Sequence, residues 1–78
     1  MSEADKMFEE LGYKKHVGDK HTSTYLLKYY KDNDNVIYFS DTWGKGVSKG
    51  GEYSEYCDDI TMQELKAINK KCEELGWI

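Results

Sequence analysis

The chain reads as an α+β domain: an antiparallel three- to four-stranded meander sheet with an N-terminal and a C-terminal helix packed on one face. Three observations predict this. Both ends carry capped, helix-period patterns; the residues between them alternate with period two; and neither proline nor a linker interrupts the chain. Residues 1–78 form a single small domain on this reading. Hydrophobic content is only 38%, but aromatics reach 14%, including seven Tyr. Large rings can build a core where Leu and Val are scarce, so the 33% of charged residues does not imply disorder.

Ser2 can cap a first helix, with Asp5 at the capping-box position and Glu3 near the positive end of the dipole. Ala4, Met7, Phe8 and Leu11 fall on one face, and Gly12 ends the helix. Tyr13 to Val17 reads as a first strand, stopped by Gly18 and Asp19. Thr24 to Lys31 is the clearest strand, Asp32 to Asn35 a turn, and Val36 to Asp41 the next strand. Gly44 to Gly51 reads as a flexible, glycine-punctuated loop, and Glu52 to Cys57 as an edge strand. Thr61 caps the last helix. Glu64 completes its capping box, and Ile60 and Leu65 have the spacing of a hydrophobic staple. Leu65, Ile68, Cys72 and Leu75 should face the sheet, with Lys66, Lys70, Lys71 and Glu73 in water. The phrases Phe8–Tyr13 and Cys72–Trp77 are nearly alike and read as one helix-ending device, a left-handed Gly followed by an aromatic that folds back.

The apolar face also constrains the central hairpin. A symmetric even loop would pair Lys28 with Phe39 and set a lysine beside Ile37. An odd loop, Asn33-Asp34-Asn35 with Asn35 left-handed, would pair Tyr29 with Phe39 and Tyr30 with Tyr38. Tyr25, Leu27, Tyr29, Ile37 and Phe39 then share the helix face, and Lys28, Tyr30, Tyr38 and Ser40 share the other. Two short helices cover one side of a short sheet, not both, so that second face is the candidate partner-binding surface. Paired exposed tyrosines suit a protein partner or a second copy of the chain. They can also stack bases, which makes a single-stranded nucleic-acid-binding module the alternative. As a cross-strand pair alone they would merely steady the hairpin.

No constellation for catalysis, cofactor binding or metal binding emerges. His16, His21, Cys57 and Cys72 match no zinc spacing. Asp32-Asn33-Asp34-Asn35 lacks the Gly and Glu of a calcium loop. Gly44–Gly51 lacks the Gly-Lys-Ser/Thr ending of a nucleotide loop. Cys57 has no basic neighbour to activate it, Asp58 and Asp59 suit a helix start, and a chain of this size leaves little room for a large pocket. Net charge is −4 and all eleven basic residues are Lys. An acidic chain without arginine argues against duplex nucleic acid and leaves room for a basic protein surface as partner. No apolar run approaches 18 residues, so no membrane span is expected. With no secretory signal evident and the two cysteines read as free thiols, the cytoplasm is the expected compartment.

Residues Met7–Lys15 and Ile60–Trp77 together resemble small uncharacterised proteins of phages and prophages of low-GC Gram-positive bacteria. The resemblance implies a mobile-element origin and a cytoplasmic setting. It carries no functional residue across, because the matching positions are those read as helix starts, core and helix ends. The expectation is therefore a non-enzymatic accessory protein that binds a macromolecular partner.

Overall fold

Six elements follow one another: α1 (Glu3–Glu10), β1 (Lys14–Val17), β2 (Leu27–Tyr30), β3 (Val36–Ser40), β4 (Gly46–Gly50) and α2 (Met62–Glu74). The computed structural model describes residues 2–19, 25–32, 35–41, 44–50 and 60–78. The expected edge strand Glu52–Cys57 lies outside these described residues, as do His21, Cys57 and the Asp58–Asp59 pair. The four strands form one antiparallel sheet in the order β1-β2-β3-β4, the expected meander.

Both helices start and stop as their sequences dictate. The Ser2 hydroxyl accepts from the Asp5 N–H, and Thr61 and Glu64 form a complete capping box. At each C-terminus a glycine has positive φ, 90° at Gly12 and 76° at Gly76. The Tyr13 N–H reaches the Phe8 carbonyl and the Gly12 N–H that of Glu9. Trp77 and Gly76 repeat the arrangement with Cys72 and Glu73, so both ends are Schellman motifs.

Phe8 from α1 and Ala67, Ile68 and Cys72 from α2 pack against Leu27, Tyr29, Ile37 and Phe39, so both helices lie on one face of the sheet. Phe8 stacks on Tyr29 at 3.8 Å between ring centroids and meets Phe39 edge-on at 6.4 Å. The aromatic core expected from composition is thus present.

The structure corrects several sequence expectations. Leu27 pairs with Phe39, Lys28 with Tyr38 and Tyr29 with Ile37, two residues away from the expected register. The faces survive, because a slip of two preserves them. Asp32 sets the shift. Its carboxylate accepts from the Asn35 backbone N–H at 2.9 Å and from the Asn35 side-chain amide, while the Lys31 N–H closes on the Asn35 carbonyl. The turn therefore starts at Asp32, and Asn35 does not take the left-handed conformation.

Tyr25 lies on the face opposite the one expected. The Leu26 N–H bonds to the carbonyl of Phe39, the residue that Leu27 also opposes, so two residues face one, as in a β-bulge. The alternation slips by one position there and carries Tyr25 over. The glycine-rich segment read as a loop contains strand β4, with Val47 opposite Phe39 and Lys49 opposite Ile37. On α2, Leu65 is 39% exposed whereas Lys71 is buried, the reverse of the expected stripe. Lys71 turns inward because Asp5 and Glu74 offer it carboxylates at 3.6 and 3.7 Å.

Candidate functional site

The ladder fixes which side chains share the face away from the helices. Lys14 and His16 of β1 stand opposite Tyr30 and Lys28 of β2. Tyr30 and Lys28 in turn stand opposite Val36 and Tyr38 of β3, and Tyr38 opposite Ser48 of β4. The four residues expected there, Lys28, Tyr30, Tyr38 and Ser40, are together on this open face. Ser40 pairs with Gly46, whose lack of a side chain leaves the β4 corner low. Val36 is buried on this side and stands outside the main core cluster.

Lys28 organises the face. Its ammonium lies 5.5 Å from the ring centroid of Tyr25, 5.8 Å from that of Tyr30 and 5.9 Å from that of Tyr38. Tyr25 and Tyr38 meet edge-on at 5.4 Å. The Tyr25 hydroxyl is 3.1 Å from His16 Nδ1, which ties β1 into the same patch. Sequence reasoning missed Tyr25, His16 and Lys14. The two β1 residues follow from alternation once β1 is paired with β2. Tyr25 had no local signal, because the bulge that moves it depends on β3.

The buried carboxylates lie on the other side and serve the fold. Glu64 takes the Lys49 ammonium at 2.8 Å, the Tyr13 hydroxyl and the Thr61 N–H. Burial alone would raise its carboxyl, but these bonds and the Lys49 charge outweigh that and hold it at about 2. Asp5 is likewise raised by burial, then pulled down to about 2 by the Tyr29 hydroxyl, by Lys15 and by Lys71. Burial and the Asp5 bond push the Tyr29 phenol up. Groups held this firmly in one charge state do not exchange protons near neutrality.

A cleft of about 520 Å³ lies at the junction of α1 and β1, lined by Asp5, Glu9, Gly12, Tyr13, Lys14, Lys15 and Tyr29. The chain therefore has more concave surface than its length suggested. Of its two carboxylates, Asp5 is committed to Tyr29 and Lys15, and Glu9 is exposed. Among the described residues no group of three or more His, Cys, Asp or Glu could hold a metal. His16 is exposed on the open face, while Cys72 is a free thiol in the core and burial pushes it up. Among the described residues no helix is long and apolar enough to cross a membrane. The chain matches no protein-family model, curated protein or solved structure with which it was compared.

Proposed function

We propose that this chain is a non-catalytic accessory protein that binds another protein through the open face of its sheet. One observation carries the reading. Both helices pack on the opposite face, and Tyr25, Lys28, Tyr30 and Tyr38 gather on the side those helices leave uncovered. Tyrosines bury large areas with little rotamer entropy to lose, and they supply much of the binding energy at protein interfaces. The firmly held charge states of Asp5 and Glu64 support a binding role over acid–base catalysis. The phage-like phrases at both ends support an origin in a mobile element and action in the cytoplasm.

The test is the double variant Tyr30→Ser with Tyr38→Ser. Its fold should persist, since both tyrosines stand outside the core cluster, opposite Val36 and Lys28, and a cross-strand pair is worth about 0.2–1 kcal/mol, and it should lose the partner that the wild type captures from a host lysate. Unfolding of the double variant would mean that these tyrosines are core. Normal capture by a folded variant would move the contact surface elsewhere, first to the segment 44–50. Recovery of single-stranded nucleic acid instead of protein would favour the alternative module.

A further inference from the structure

The four strands read KKHV, LKYY, VIYFS and GVSKG: lysines and a histidine, with no acidic residue. The helices hold seven of the fifteen acids, and α1 alone holds Glu3, Asp5, Glu9 and Glu10 against Lys6. Four cations on the helix side are paired: Lys15 with Asp5 at 3.1 Å, Lys49 with Glu64 at 2.8 Å, Lys70 with Glu3 at 3.2 Å and Lys71 with Asp5 at 3.6 Å, while Lys6 and Lys66 of the helices make no ion pair among the described residues. Lys14 and Lys28, on the open face, make no ion pair among the described residues. A chain of net charge −4 thus presents a locally cationic face.

Resting on the reading that this face is the contact surface, we infer that its occupant is an acidic peptide segment, with carboxylates met by Lys14 and Lys28 and by the tyrosine hydroxyls around them. This reverses the basic partner expected from net charge alone. A nucleic-acid strand fits less well. Stacked bases need bare ring faces, and here one ammonium already lies over three rings while Tyr25 and Tyr38 contact each other edge-on. A carboxylate needs no bare ring face. It approaches Lys28 from the solvent side while the rings hold the ammonium from below, and tyrosine hydroxyls can donate to it.

The test is an amide-resolved NMR titration of the full chain with hexaglutamate, hexalysine and an oligothymidylate hexamer at low salt. Hexaglutamate should shift the amides of Lys14–His16, Lys28–Tyr30 and Tyr38–Ser40, and the effect should fade as salt rises. Lys14→Gln with Lys28→Gln should weaken it about tenfold. Lys28→Arg, which keeps the charge, should bind as the wild type does. Loss of binding in Lys28→Arg equal to that in the Gln variant would overturn the inference. Shifts at the open face with oligothymidylate or hexalysine but not with hexaglutamate would sink the acidic occupant and leave the contact surface standing. Hexaglutamate acting only at helix amides such as those of Lys6 and Lys66, or nowhere, would also overturn it; the double tyrosine variant then decides separately whether the face is used.

Discussion

Glu64 joins three parts of the molecule. Its capping box starts α2, its bond to Lys49 fastens β4, and its bond to Tyr13 reaches the end of α1. The first link was legible in the sequence, because Thr-x-x-Glu is local. The other two were not, since they join residues 15 and 51 positions apart. A glutamic carboxyl moved from the usual 4.5 to about 2 contributes on the order of 3 kcal/mol. Because the folded value is depressed, that stability is present above the ordinary value and is lost as pH falls toward 2. Asp5 acts in the same direction. The melting temperature should therefore be level near neutrality and fall steeply below about pH 4.5. Glu64→Gln should lower the plateau and flatten the acid fall. A wild-type melting temperature unchanged at acid pH would contradict this. Glu64→Ala removes at once the acceptor of the Lys49 ammonium, the Tyr13 hydroxyl and the Thr61 N–H and should cost about 3–5 kcal/mol. Replacing both as Lys49→Met with Glu64→Gln should recover much of that, since Gln keeps an acceptor for the Thr61 N–H; calorimetry of the two variants makes the comparison.

At the level of elements, helices were more legible than strands. Caps and glycine stops are local signals, and both helices begin and end where those signals fall. The faces of β2 and β3 were legible because burial selects parity. Their register was not, because the Asp32–Asn35 turn decides it. β4 was hidden by its glycines and by a buried lysine whose partner is on α2. The same non-local pairing misplaced Lys71, and with it the stripe of α2. Truncations read that stripe directly. Ile68 is 6% exposed and Leu65 39%. Ile68→Ala should cost about 2–5 kcal/mol and Leu65→Ala less than about 1, measured by chemical denaturation. Equal costs would mean that α2 is rotated relative to the core described here.

The whole molecule is two-sided. Among the described residues, both helices occupy one side of a single sheet, and an aromatic surface bearing Lys14 and Lys28 forms the other. Four of its residues were legible from alternation alone, whereas the clustering around Lys28 required the bulge and the β1 pairing. On the open face Tyr25 and Tyr38 meet edge-on, and Tyr30 is 37% exposed beside Lys28. The most direct measurement places a photoreactive benzoylphenylalanine at Ser40, on the open face, and in a second protein at Lys66, exposed on α2. Irradiation with the captured partner should crosslink from Ser40 and not from Lys66. Crosslinking from Lys66 alone would contradict the account.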